Sequence, residues 1–283
     1  MEAAFAELPL AVFTTLAPIG AAGFLAFAVV FATAEFAAEQ RKRVDKMMVF
    51  PYVAALAGFA ASMLHLANPL KAVGAIAGIG KSPLTNEIVV GSVFMVAALV
   101  YAYLGFTGKL KSARKPLGIV VSALAIVFCV FIGLAYMIPT ITSWDTLALP
   151  AQIIGYALVG GCAFGALSLV DAGEKAASAS RALRLIAALG ALVAIVAGAV
   201  QLACVGGAQT AVASGQDIVS EVAPFAICGF VLIAVAAVEL WIGLSKGVTR
   251  AVAVRALVEV AVGVLLARLV FYAMYMSVGL TLS

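Results

Sequence analysis

The residues in this sequence best suited to chemistry are a histidine and a glutamate on the two sides of one loop. His65 is the only histidine among the 283 residues and closes one apolar stretch, and Glu87 opens the next. Imidazole titrates near neutral pH, so His65 could accept a proton or donate a hydrogen bond. A carboxylate at the other end of this loop could take up a second proton. Together, the two residues predict a site of proton transfer.

Each residue also has a structural interpretation when it is taken alone. The helix dipole favours a protonated histidine near a helix C-terminus and an acid at a helix N-terminus. Asn86 could cap the helix that Glu87 opens. Position in the sequence leaves the structural and the chemical interpretations open for each residue.

The composition predicts an integral membrane protein. Hydrophobic residues make up 65% of the chain and charged residues 11%, and the mean hydropathy is +1.20. Soluble domains have about 45–50% apolar and about 25% charged residues. The apolar stretches are about 20 residues long and do not alternate, which favours helices over the strands of a barrel.

The apolar stretches predict an all-α bundle of eight transmembrane helices in a single domain. About 20 residues are needed to cross a hydrocarbon core of about 30 Å. The predicted spans are residues 9–35, 44–66, 87–106, 117–138, 150–170, 184–206, 223–245 and 255–280. Gly161 and Gly165 form a GxxxG pattern in the fifth span, which is typical of closely packed membrane helices.

The basic residues occur in every second loop, namely residues 36–47, 107–116, 171–184 and 246–255. Only Lys71, Lys81 and Arg268 lie elsewhere. Basic loops stay in the cytoplasm, so we predict both termini and the loops at 67–86, 139–149 and 207–222 on the outer side. The net charge of +4 is therefore a sign of topology and does not predict a nucleic-acid partner.

Arg268 lies inside the eighth predicted helix. A charge within the membrane is costly and usually faces the interior of a bundle. We predict either an ion pair between helices, with Glu259, Glu239 or Glu35 as candidate partners, or a position near a ligand.

The residue types argue against a redox centre within this chain. A membrane haem with two histidine ligands needs more than the one histidine present. The cysteines, none of them in CxxC spacing, are Cys129, Cys162, Cys204 and Cys228. We therefore expect no haem and no metal here, and an electron carrier that is bound differently or belongs to a partner.

Several short stretches resemble the membrane anchor subunits of dimethyl sulfoxide reductase and related molybdenum oxidoreductases. The matching residues are 8–10 with 13–14, 61–66 with Pro69, 84–88 with 91–92, and Arg268 with 270–272 and 276–279. The first 100 residues carry most of the resemblance. The middle of the chain matches only in hydropathy and charge alternation.

The resemblance implies a haem-free anchor without a redox centre of its own, in the cytoplasmic membrane of a bacterium. It implies that an iron–sulfur subunit and a molybdopterin catalytic subunit dock on the outer loops, and that the anchor is active only with them. Menaquinol from the quinone pool would be oxidised at the outer face during anaerobic respiration, and its electrons would pass to the iron–sulfur subunit. The candidate quinol-binding residues are Ser62, His65, Asn86, Glu87 and Arg268.

The last predicted helix departs from the family pattern. Val264 stands where the family has an acid one turn before the arginine, and Tyr275 stands near the place of a second histidine in some members. Glu259 could replace the missing acid.

Three other functions stay open at this point. One is the quinone-reactive subunit of a polysulfide or nitrite reductase complex, which has similar chemistry. Another is a purely structural anchor without a quinone site. The third is a secondary transporter, although transporters place charges at the membrane midplane and often contain inverted repeats. The candidate residues here lie at one end of the predicted helices, which favours the quinone-reactive classes.

Overall fold

A computed structural model of the protein describes residues 2–65, 78–109, 113–170, 177–211 and 213–277. The loop of residues 66–77, with Lys71 and Pro69, and the matching residues 278–279 lie outside these ranges. Within the described ranges there is no β-strand, only two isolated β-bridges between single residues.

The described residues fold into helices throughout. They are α1 (Glu2–Ala6), α2 (Leu8–Thr33), α3 (Ala38–Met47), α4 (Val49–His65), α5 (Pro83–Phe106), α6 (Arg114–Ala135), α7 (Ala148–Ser168), α8 (Ala177–Gly206), α9 (Gly215–Lys246) and α10 (Arg250–Ala273). Eight spans are long and apolar enough to cross a membrane, with α3 and α4 together forming one of them. The predicted all-α class with eight candidate transmembrane helices is confirmed.

Several helices begin before the predicted positions, because hydropathy marks the membrane core and misses polar first turns. The prediction that Glu87 opens a helix capped by Asn86 is wrong. The hydroxyl of Ser82 caps α5 by accepting a hydrogen bond from the backbone N–H of Thr85 at 3.4 Å. Pro83 follows as the first helical residue, where its missing N–H and fixed φ suit a helix start.

α2 forms the centre of the bundle, and α4 and α7 lie directly against its backbone. A β-carbon at Gly20 of α2 would lie 2.5 Å from the carbonyl oxygen of Pro51 in α4. A β-carbon at Gly161 of α7 would lie 2.5 Å from the carbonyl carbon of Ala22 in α2. These contacts leave no room for a side chain, so the glycines set how closely the three helices approach.

An ion pair ties α3 to α6 at one end of the bundle. Nη1 and Nη2 of Arg114 donate to the two carboxylate oxygens of Asp45, at 2.7 and 2.9 Å. The same guanidinium lies over the ring of Phe31, 4.0 Å from its centroid. We call this the basic end, since the described residues of the predicted basic loops lie here. The opposite end, with the start of α2 and α5, is called the site end.

Candidate functional site

A cavity of about 470 Å³ lies at the site end between α2, α4, α5 and α6. Ser62, His65 and Glu87 all line it, so the fold brings together three of the five predicted site residues. Much of the wall is apolar and includes Leu10, Phe13, Met63, Leu84, Ile88 and Trp144. Sites for small molecules typically measure roughly 300–1,000 Å³ and combine an apolar wall with a few polar groups.

Glu87 is the buried acid of this cavity. Only 3% of the residue is exposed, because it lies in the second turn of α5 and not at its first residue. Within the described ranges, no hydrogen bond reaches its carboxyl group. Buried polar groups nearly always have a partner, so a carboxyl group without one beside a cavity is available to a ligand.

His65 lies at the rim of the cavity, as the last described residue of α4. Its Nδ1 is 3.5 Å from Oε2 of Glu7, and the two side chains are 41% and 35% exposed. Glu7 directly precedes α2, and no pattern in the sequence predicted this contact. The rim therefore holds an imidazole next to a carboxylate, with access to water.

Ser62 and Asn86 differ in their placement. The hydroxyl of Ser62 donates to the carbonyl oxygen of Phe59 at 2.8 Å, and the residue lines the cavity. The side-chain oxygen of Asn86 accepts a hydrogen bond from the backbone N–H of Gly80 at 2.7 Å. Asn86 thus stabilises the turn before α5.

Arg268 is completely buried in α10 beside the cavity. Its Nε donates to the hydroxyl of Thr14 at 2.8 Å, and its Nη2 donates to the hydroxyl of Tyr272 at 3.4 Å. The guanidinium also lies 4.1 Å from the centroid of the Phe271 ring. Glu87 lies close enough for its charge and that of Arg268 to interact.

The ion pair predicted for Arg268 is wrong for the part of the sequence that the structure describes, where no carboxylate lies within 4 Å of it. Glu239 instead accepts hydrogen bonds from Nε of Arg255, at 2.6 and 2.8 Å. Glu239 and Glu259 lie in the halves of α9 and α10 nearer the basic end, whereas Arg268 is near the site end. An oxygen of Glu259 is buried without a hydrogen bond.

Two aromatic residues of the cavity wall belong to the segment after α6. The indole N–H of Trp144 donates to the carbonyl oxygen of Phe271 at 3.1 Å, and the two rings stack with centroids 4.9 Å apart. Tyr136 lines the cavity and accepts a hydrogen bond from the hydroxyl of Tyr272 at 2.7 Å. The sequence contained no signal that these two residues would meet, since only the fold places both beside Glu87.

Among the described residues, the cavity has an aromatic floor and an opening between α4 and α5. Phe59 of α4 stacks on Phe128 of α6 with centroids 5.4 Å apart, which closes the cavity towards the membrane interior. Over their lengths, α4 packs mainly on α2 and α5 mainly on α6, and α4 and α5 make few contacts with each other. Met63 and Leu84 border the resulting space between α4 and α5 and are both exposed. We call this space the side opening.

Eight candidate membrane spans and an apolar cavity with buried polar groups at one end define a multi-pass membrane protein with a candidate ligand site at one end of its bundle. The protein belongs to the DMSO reductase anchor subunit (DmsC) family, whose sequence model matches residues 1–274. The resemblance noted from short stretches of sequence is therefore confirmed over the whole fold.

Individual relatives agree with this family. The sequence is 30% identical to the C subunit of anaerobic dimethyl sulfoxide reductase from Escherichia coli strain K12, with both proteins covered completely. It is 27% identical to the corresponding subunit from Haemophilus influenzae, over all of this protein and 99% of the relative. A second Escherichia coli relative, the YnfH subunit of anaerobic dimethyl sulfoxide reductase, is 31% identical over 49% of each protein.

Proposed function

We propose that this anchor subunit binds menaquinol in the cavity at the site end and oxidises it. The observation that carries the proposal is the buried carboxyl group of Glu87, which lines an apolar cavity and has no hydrogen-bond partner among the described residues. A quinol has an aromatic ring for such a wall and two hydroxyl groups for the polar residues. The family membership supports the same substrate class.

Oxidation of a quinol to a quinone releases two protons and two electrons. The imidazole of His65 accepts one hydroxyl proton, and Glu87 assists the departure of the other. His65 and Glu7 at the rim offer protonatable groups between the cavity and water. The electrons pass from the quinol to an iron–sulfur cluster of a partner subunit.

Family membership supports the proposed partners, and the charge pattern of the loops supports the proposed orientation. We propose an iron–sulfur subunit and a molybdopterin catalytic subunit docked on the loops of the site end. Basic loops stay in the cytoplasm, so the site end and both termini face outward from the cytoplasmic membrane of a bacterium. A site at one end of the bundle also favours quinol oxidation over transport, which uses sites near the midplane.

Purification of the protein in a mild detergent tests the partners. We expect two soluble subunits to accompany it in equal amounts, together with molybdenum and iron, measured by mass spectrometry and elemental analysis. A stable protein that purifies alone and without metal from cells that make the partners would contradict the proposed complex.

Substitution of His65 by alanine tests the site. We expect menaquinol-driven reduction of the terminal acceptor to fall about tenfold, less than the roughly 10²–10⁴-fold that a positioned general base contributes. The effect is smaller because water reaches this half-exposed position and replaces part of its role. Activity with an artificial donor that reduces the partner subunits directly should not change. A wild-type rate with menaquinol in an intact complex would refute the role of His65.

A further inference from the structure

A series of polar side chains leads from the interior of the bundle to the cavity. It begins at Arg268, which is completely buried. Nη2 of Arg268 lies 3.4 Å from the hydroxyl of Tyr272, and this hydroxyl lies 2.7 Å from that of Tyr136. Tyr136 lines the cavity together with Glu87. The series joins a buried cation to the place where we propose that the quinol binds.

The hydrogen bonds of this series all run in one direction, with each donor on the side of Arg268 and each acceptor on the side of the cavity. A guanidinium can only donate, so the oxygen of Tyr272 is an acceptor towards Arg268. The hydroxyl of Tyr272 donates in turn to the oxygen of Tyr136. Because the Tyr136 oxygen is the acceptor in this bond, the proton of its own hydroxyl has no acceptor within the series. A ligand oxygen in the cavity would supply one.

The charge of Arg268 strengthens such a donor. Its Nη1 is buried without a hydrogen bond, and no carboxylate of the described residues pairs with it. The guanidinium carbon lies 5.2 Å from the centroid of the Tyr136 ring. In a medium of low dielectric constant, a cation at this distance acts strongly on a neighbouring dipole. Negative charge that develops near Tyr136 is therefore stabilised.

We propose that Tyr136 donates a hydrogen bond to one oxygen of the bound quinol and strengthens this bond as the oxygen loses its proton. Arg268 acts through Tyr272 as a positioning residue that polarises the donor. A preorganised donor aimed at developing charge stabilises the transition state more than the ground state. This inference rests on the proposed function and adds a stabilising group to the proton acceptors His65 and Glu87.

The test compares three substitutions of tyrosine by phenylalanine in the purified complex. Tyr136→Phe removes the donor, and Tyr272→Phe removes the link to Arg268. Tyr101→Phe is the matched control, because Tyr101 is also buried and its hydroxyl has no hydrogen bond. It lies in α5 beyond the aromatic floor, nearer the ion pair of Arg114 and Asp45 than the cavity.

We expect Tyr136→Phe to lower kcat for menaquinol about tenfold with little change in KM, because the hydrogen bond is strongest in the transition state. Tyr272→Phe should lower kcat only about threefold, since the hydroxyl of Tyr136 remains as the donor to the quinol. Tyr101→Phe should match the wild type. Co-purification of the partner subunits shows in each case that the complex is assembled, and their donor-driven activity shows that they are active.

The outcomes separate this inference from the proposed function. A wild-type kcat in Tyr136→Phe, with impaired turnover in Glu87→Gln, overturns the inference and leaves the quinol site in place. A raised KM with unchanged kcat also overturns it, because the hydroxyl would then bind substrate and transition state equally. If Glu87→Gln and His65→Ala both turn over menaquinol at the wild-type rate, the proposed quinol site in this cavity itself fails.

Discussion

Substitution of Glu87 by glutamine is expected to lower menaquinol-driven turnover about 100-fold in a complex that still assembles. A positioned general base contributes roughly 10²–10⁴-fold to a rate, and an amide cannot accept the proton. Glu87 is buried, so water cannot take over as it can at the exposed His65. Glutamine keeps the shape of the side chain, which leaves the cavity and the packing of α5 intact.

The measurement is the rate of menaquinol oxidation coupled to reduction of the terminal acceptor, with donor-driven activity as a check on the partners. Asp145→Asn is the matched control, since Asp145 is an exposed acid close in sequence to the cavity residue Trp144. We expect the control to behave like the wild type. A loss of turnover in both variants would indicate a general effect of charge at this end and would argue against proton transfer at Glu87.

Substitution of Gly161 by alanine is expected to destabilise the bundle by about 3 kcal/mol, near the upper end of the usual cost of overpacking. The new β-carbon would lie 2.5 Å from the carbonyl carbon and oxygen of Ala22, so α7 would have to move away from α2. Both helices are largely buried, and their separation would disturb neighbours on every side. The measurement is the midpoint of thermal unfolding in detergent.

Gly206→Ala at the end of α8 is the control for this experiment. A β-carbon there would meet only Cγ2 of Val219, at 3.9 Å, which is an ordinary contact. Alanine in place of glycine within a helix stabilises by about 0.5–1 kcal/mol when space is available. The two substitutions are thus expected to change the unfolding midpoint in opposite directions. A rise in the midpoint for Gly161→Ala would show that α2 and α7 are not in close contact.

The sequence predicted the class of fold and two central residues of the site, because these depend on local features. Long apolar stretches must be helices in a membrane. His65 and Glu87 stood out as a unique histidine and an acid on opposite sides of a single loop. The burial of Glu87 could not be predicted from the sequence, because it depends on a helix start at Ser82 and Pro83 that hydropathy does not detect.

The remaining parts of the site depend on contacts between distant segments. Glu7 meets His65 only because α2 packs along α4, and Tyr136 reaches the cavity only because α6 ends there. The partner of Arg268 could not be predicted, because counting acids gives no information on their depth in the bundle. Thr14, from the first long helix, accepts a hydrogen bond from Nε of the arginine without carrying a charge. Such contacts can be identified only once the fold is known.

The side opening between α4 and α5 has a consequence for how the substrate is supplied. A quinol that enters there comes from the lipid phase, and its long tail remains among the lipid chains while the ring occupies the cavity. The relevant concentration is then the fraction of quinol among the lipid molecules, and the volume of the surrounding buffer has no influence. Dilution of the membrane with additional lipid, at constant amounts of protein and quinol, would slow the complex as effectively as removing substrate.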